Sequence, residues 1–391
     1  MTSSVSRMLH WHAVYKISTV SSPTHELSSE NDGYEMAQNK FSTNKRLSLL
    51  MSNMKPEDET ALRSILLNKL NKFETLSTGS EVISVDSFLD QKPSQIYYNT
   101  IFHTLSNAND PIKSNANDFQ VLLNCYFLVS FMVGTESGFE LFQKDLDDYC
   151  NSLLLSLEKY MESIDVSEYL TLLDEWYDSK VCFIERCLQY FSKDLALLLC
   201  ASFCSISVTI DPKISDCVKK DIQKFLECSS LSLLFDEMNV QNSKHLLSLN
   251  ESQVLHVSLN SEDNSYSIVQ GNITYTTPFA FNWIRSLEEM KFKNPIKMRQ
   301  LIENYKVKII QDINSFHRLI NQAENDYYAL YKAYIFIASS GNAYVIMKNA
   351  RLQNCINNET NIKHLLNVLE QFIEKMGGFD AISSLKGEPL L

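Results

Sequence analysis

Glycine and proline are scarce in this chain. Its 391 residues include nine glycines and eight prolines. That shortage argues against collagen-like and many-turned β folds and favours long helices. An excess of positive charge is also missing. The formal net charge is -12, which argues against general nucleic-acid binding, because that role needs cations to displace counterions. No Cys-x-x-Cys pair occurs. The nine cysteines are scattered, with Cys200 and Cys204 one helical turn apart. This is the pattern of buried reduced thiols, not of a zinc site with four convergent ligands. Residues 1–22 contain no uninterrupted apolar leader, since His10, His12 and Lys16 break the run. The longest apolar runs, 119–133 and 195–210, fall short of the about 20 residues of a membrane span and read as helices buried on most sides. Without a secretory route, the glycosylation sequons at Asn250, Asn272 and Asn358 are expected to stay unmodified.

Catalytic signatures are absent as well. The chain has no P-loop, Gly-x-Gly-x-x-Gly, His-Glu-x-x-His or Gly-x-Ser-x-Gly. The carboxylate groups Asp145/Asp147/Asp148 and Asp174/Glu175/Asp178 lie among Lys and Ser, as on a solvated helix face. The expectation is a protein that is not an enzyme and binds no metal or cofactor.

What is present is hydrophobic content, 45% of residues, enough for a sizeable core. Residues 1–56 are Ser/Asn/Thr-rich and read as a disordered tail. Helical stripes then run through 57–238 as bundles. Leu62, Ile65, Leu66 and Leu70 form the first stripe, and Ile96, Tyr97, Ile101 and Leu105 form the next. A long amphipathic helix is expected over 139–164, followed by a core face containing Leu173, Trp176 and Ile184. Asp110-Pro111 and Asp211-Pro212 offer further helix starts. Residues 239–276 read as a long connection with a small hairpin. From 277 to 391 a C-terminal bundle follows. Thr277-Pro278 and Asn294-Pro295 each pair a capping side chain with a first-turn proline. Two more helices are expected near 327–349 and 360–376, with Gly377-Gly378 ending the last. The whole reads as an all-α, elongated rod of stacked antiparallel helical bundles.

Charge is unevenly placed. Residues 130–178 hold twelve acids against two bases, whereas 291–318 hold seven bases against two acids. Lys291, Lys293, Lys297, Arg299, Lys306 and Lys308 are the candidate contacts to anionic phospholipid, each worth about 1 kcal/mol near a charged bilayer.

The order of landmarks resembles the seventy-kilodalton subunit family of the exocyst. Gly271, Ile273 and Thr277 lead into an apolar helix with Phe279, Phe281, Ile284 and Leu287. Further on, "YIFIASSGNAYVIMK" supplies Ile335-Phe336, Tyr344-Val345 and Lys348, with Ser339-Ser340 where the family has asparagines. The family's long N-terminal coiled segment and basic C-terminal domain have no counterpart, so the chain looks shortened. The resemblance implies a non-enzymatic tethering subunit of exocytosis, cytoplasmic and peripheral at the plasma membrane. Its implied partners are other exocyst subunits, a Rho-family small GTPase and phosphoinositide. The competing expectation, from similarity of 139–195 to cullin N-terminal repeats, is a scaffold of a ubiquitin ligase or another protein-interaction scaffold.

Overall fold

The computed structural model describes residues 10–22, 42–73, 75–88, 92–105, 123–162, 167–231, 254–260, 265–270, 277–290, 294–357, 360–376 and 378. The chain divides into two compact units, Met1–Val181 and Cys182–Leu391. That division falls inside the segment expected to be one run of helical bundles.

The first unit is built on a sheet, so the all-α expectation is overturned. Its strands are β1 (His10–Ser22), β2 (Ser42–Ser52), β3 (Gly79–Phe88), β4 (Lys92–Leu105) and β5 (Leu123–Val133). They pair antiparallel throughout, in the order β2-β1-β5-β4-β3. The tail expected to be disordered therefore supplies two of the five strands. Helix α1 (Pro56–Leu70) covers one face. It buries Leu62, Leu66 and Leu70 against Ala13, Tyr15, Ile17, Ile96, Tyr98, Leu128 and Met132.

The other face carries a 3-10 turn (Phe139–Phe142) and helices α2 (Gln143–Glu162), α3 (Ser167–Asp174) and α4 (Trp176–Lys180). Alternation along β4 sends Ile96 and Tyr98 toward α1, and Gln95, Tyr97 and Asn99 toward α2. On that second side the Tyr97 hydroxyl donates to Asp147 at 2.7 Å, and Gln95 accepts from the Phe139 amide at 2.8 Å. Trp176 is fully buried and stacks on Phe131, with ring centroids 4.7 Å apart.

A sheet covered on both faces explains why these strands pass for helices. Both sides of a central strand are covered, so the apolar/polar alternation of a half-exposed strand is lost, and on β5 a nearly continuous apolar run remains. The described part of the run 119–133 is β5, and the stripe Ile96–Tyr97–Ile101–Leu105 lies on β4.

The second unit is mostly helical. It contains α5 (Phe183–Phe191), α6 (Leu195–Phe203), α7 (Asp216–Ser229), α8 (Pro278–Glu288), α9 (Pro295–Ala323), α10 (Tyr327–Ser340), α11 (Ala343–Asn357) and α12 (Thr360–Lys375). A small sheet accompanies them. In it β6 (Ser207–Ile210) runs parallel to β7 (Val254–Leu259), which pairs antiparallel with β8 (Tyr266–Gln270).

The capping chemistry is visible here. Thr277 Oγ1 accepts from the Ala280 amide at 3.2 Å. Asn294 Oδ1 accepts from the amides of Ile296 and Lys297. Each cap satisfies amides that the first helical turn leaves unpaired, worth about 1 kcal/mol. Asp211-Pro212, by contrast, does not open a helix. Asp211 Oδ1 accepts from the Lys213 amide in a local turn, and α7 begins at Asp216. The single helix expected over 327–349 is two, because Gly341 adopts a left-handed φ of 67° after α10. The Asp110-Pro111 start, Gly271 and Ile273 lie outside the described residues.

Candidate interaction surface

Among the described residues of the second unit, the largest concentration of exposed apolar side chains lies on α10 and α12. On α10, Tyr327 is 86% exposed, Tyr328 61%, Tyr331 55% and Ile335 46%. On and just past α12, Val368, Phe372 and Met376 are also exposed. The inner faces of the same helices explain why these residues point outward. Ala333, Ile337, Ile362, Leu366, Leu369 and Ile373 fill the core with Phe316 and Ile320 of α9. With 3.6 residues per turn, that stripe leaves the second set on the opposite or flanking side.

The two sets form one surface. Buried Tyr334 on α10 meets Phe372 on α12 edge to face, at 4.8 Å between centroids. Tyr328 stacks with Tyr331 at 6.2 Å, and Lys332 Nζ lies 4.6 Å from the Tyr328 ring centroid. Scattered exposed apolar residues are ordinary, but a contiguous patch of this kind marks a contact site. Tyrosines are also the residues that interfaces favour.

The structure disperses the residues expected to bind lipid. Lys291 and Lys293 lie outside the described residues. Lys297 is exposed on α9. Arg299 is ion-paired to Glu303 at 3.5 Å, and Lys308 to Asp312 at 2.5 Å. Lys306 is buried, and its Nζ donates to the Cys228 carbonyl at 3.1 Å. Of the other landmarks, Phe336 packs partly into the core and Tyr344 sits half-buried on α11 beneath Lys348. Ile335 is the landmark that falls on the exposed face. The three tyrosines beside it were not singled out in the sequence, although their spacing in "DYYALYKAYI" was open to reading.

Two other places in the first unit hold chemically capable groups. A cavity of about 160 Å³ lies beside the C-terminus of α1, lined in part by Lys45, Phe73, Glu81, Tyr98 and Thr100. Its groups are already engaged. Lys45 Nζ donates to the carbonyls of Leu70 at 2.7 Å and Phe73 at 2.5 Å. Glu81 accepts from Lys69 at 2.5 Å and from the Tyr98 hydroxyl at 2.7 Å. Burial lowers the Lys45 pKa. For Glu81, burial acts to raise the pKa, but the bonds from Lys69 and Tyr98 leave it lowered. The cation sits where a helix C-terminus favours one, so the arrangement explains itself as a cap.

The second place is His12. It is buried on β1, with Nδ1 3.6 Å from Asp174 Oδ1. Burial lowers its pKa and His10 adds to this, while Asp174 acts in the opposite direction. An unfolded chain therefore protonates His12 before the folded one does. Its stabilising contribution is full above the ordinary histidine pKa of about 6.5 and is lost as pH falls from there toward the lowered folded value. Urea unfolding of the wild type and of His12→Gln at pH 7.5 and 5.5 checks this: the wild type should lose more stability on acidification than the variant. Equal losses would show that His12 is not a source of the acid sensitivity.

No cluster of three or more His, Cys, Asp or Glu suited to a metal occurs among the described residues. None of the described helices is long and apolar enough to cross a membrane.

Comparison with known proteins locates the chain. The model of the Njmu-R1-like protein family matches residues 12–375. Protein Njmu-R1 of the mouse, Mus musculus, is 29% identical over 334 residues, covering 84% of this chain and 80% of that protein. These matches overturn the exocyst resemblance and the tethering role drawn from it. The landmarks behind that resemblance were short apolar pairs, which recur wherever capped helices pack. The cullin-scaffold alternative loses its footing with the all-helical rod on which it rested.

Proposed function

A chain that belongs to the Njmu-R1-like protein family inherits no reaction from that name, and we propose from its own surface that it is a non-enzymatic protein that works by binding other proteins. The observation that carries this reading is the exposed aromatic face of α10 and α12. On a scale of about 150–250 Å² for an aromatic side chain, four aromatics and three aliphatics at these exposures present on the order of 800 Å², about one partner's share of a standard interface.

Two further observations support binding over catalysis. Of the groups lining the cavity beside α1, Lys45 and Thr100 donate to backbone carbonyls and Glu81 accepts from Lys69 and Tyr98, so its one acid and one base are each already engaged. The thiols of Cys150 and Cys187 are buried and their pKa values raised by burial, Cys150 to about 12, so neither is primed as a nucleophile. Such thiols are consistent with a cytoplasmic location, where they stay reduced. Direct lipid binding by α9 forms no part of this proposal, since its basic side chains are buried, ion-paired or isolated.

A photo-crosslinking residue in place of Tyr331 tests the proposal in living cells. It should give discrete protein adducts that a residue at exposed Gln311 on α9 does not, and Phe372→Glu should abolish them. Identical adduct patterns from both positions would sink the assignment of this face.

A further inference from the structure

The spacing and charge of this face also define what fits it. On α10, exposed Tyr328, Tyr331 and Ile335 follow one another at steps of three and four residues. On and just past α12, exposed Val368, Phe372 and Met376 follow at steps of four. These are the steps of a helix seam that receives another helix, knobs into holes. An extended strand would instead need an open sheet edge. The Tyr334–Phe372 contact sets the two seams side by side, and the ridges of two neighbouring helices bound a channel into which a third helix can pack.

The rims of this channel are basic. Residues 327–358 contain no Asp or Glu, and Lys332 is the one charged residue of α10. At 100° per residue, Lys375 sits about 60° around α12 from Phe372, whereas Glu374 sits about 160° away on the far flank. Lys332 borders the seam on the α10 side, against the Tyr328 ring.

Building on the binding role above, we propose that the α10–α12 face receives a single amphipathic α-helix of another protein, with apolar residues at a three–four spacing and acidic residues on both flanks. Its apolar stripe fills the channel while its acids meet Lys332 and Lys375. A second copy of this chain is a poorer occupant, because it would bring the same two lysines to the same rims.

The test uses the full chain and two fluorescent helical peptides of about three heptads, each with Leu at the seam positions. One carries Glu at the flanking positions and the other Lys. Anisotropy should show the Glu peptide binding at least about tenfold more tightly at low salt, a preference that shrinks as salt rises. Tyr331→Glu should weaken its binding at least about 30-fold, as for a central interface aromatic. Lys332→Glu with Lys375→Glu should reverse the preference between the peptides. All three substituted positions lie on the surface, so unchanged thermal unfolding would show the variants to be folded. No binding of either peptide, equal binding of both, or indifference to Tyr331→Glu overturns the assignment of an acidic helix. Self-association of the chain that Tyr331→Glu disrupts would also overturn it, yet would leave the binding role of this face standing. Loss of both the peptide binding and the position-331 adducts would remove the binding role as well.

Discussion

Replacing Trp176 with Ala should cost the first unit about 3–5 kcal/mol of stability, the range for deleting a fully buried Trp or Phe. Trp176 has no exposed surface. It is the junction of an aromatic cluster, 4.7 Å from Phe131 on β5, 5.4 Å from Tyr177 and 5.9 Å from Phe139 between ring centroids. Removing it leaves a void between the sheet and the α2–α4 layer, where several rigid rings cannot all move in to fill the space. One detail sharpens the expectation. The indole Nε1 is buried with no hydrogen-bond partner among the described residues, and leaving such a donor unpaired costs about 1–3 kcal/mol. Trp176→Phe removes that donor while keeping most of the ring, so it should cost clearly less than Trp176→Ala. Chemical unfolding followed by circular dichroism measures both. A midpoint unmoved by Trp176→Ala would place the side chain at the surface.

The placement of Trp176 in a core was legible from its neighbours at helical spacing, but the partner across from it was not. The layer it packs on is β5, which the sequence presents as "LNCYFLVSFMV", a run equally suited to a buried helix. Periodicity discriminates only when one side of an element meets water. Both sides of β4 and β5 meet helices, and that removes the signal. For β1 and β2 the obstacle was composition. "HWHAVYKISTVSS" alternates two sets of residues, with Trp11, Ala13, Tyr15 and Ile17 toward α1, and His10 toward Trp176 and His12 toward Asp174 on the other side. Two histidines on the inward side mask a hydrophobic alternation. The C-terminal helices were far more readable. Thr277-Pro278, Asn294-Pro295 and Gly341 act through the two or three residues beside them, so no knowledge of the fold is needed to interpret the first two. Gly341 carried the same kind of information and went unread, because an apolar stripe continues on both sides of it.

The candidate surface was half legible for a related reason. Charge in the sequence pointed to 291–318, but a run of lysines says nothing about which carbonyls and carboxylates surround them. Lys306 turned out to serve the packing of α7 on α9 through the Cys228 carbonyl. The tyrosines of α10 suffered the opposite fate. Apolar and aromatic residues occur all round that helix, and a helix of this kind reads as buried until its neighbours are known.

Asp221→Ala should destabilise the second unit by about 3–5 kcal/mol, the range for removing one member of a buried ion pair. Asp221 is buried on α7, and its two oxygens accept from Nε and Nη2 of Arg186 on α5 at 2.7 and 2.6 Å. This side-on, two-bond geometry is the strong form of an Arg–carboxylate contact. The Asp221 hydrogen bonds also raise the Arg186 pKa against the lowering effect of burial. Arginine cannot escape by losing its proton, so Asp221→Ala takes away the carboxylate that Nε and Nη2 of a partly buried guanidinium bond to. The pair itself need not be strongly stabilising, since both ions lose water to form it. That distinction is measurable. Arg186→Met with Asp221→Leu removes the charge and the demand for it together, and should recover most of the stability lost in Asp221→Ala. A double-mutant cycle built on Arg186→Met, Asp221→Leu and their combination should give a coupling of at least about 1 kcal/mol, as expected for residues in direct contact. Strict additivity of the two single changes would mean that α5 and α7 are held by their apolar neighbours Ile184, Leu188, Ile222 and Phe225 alone.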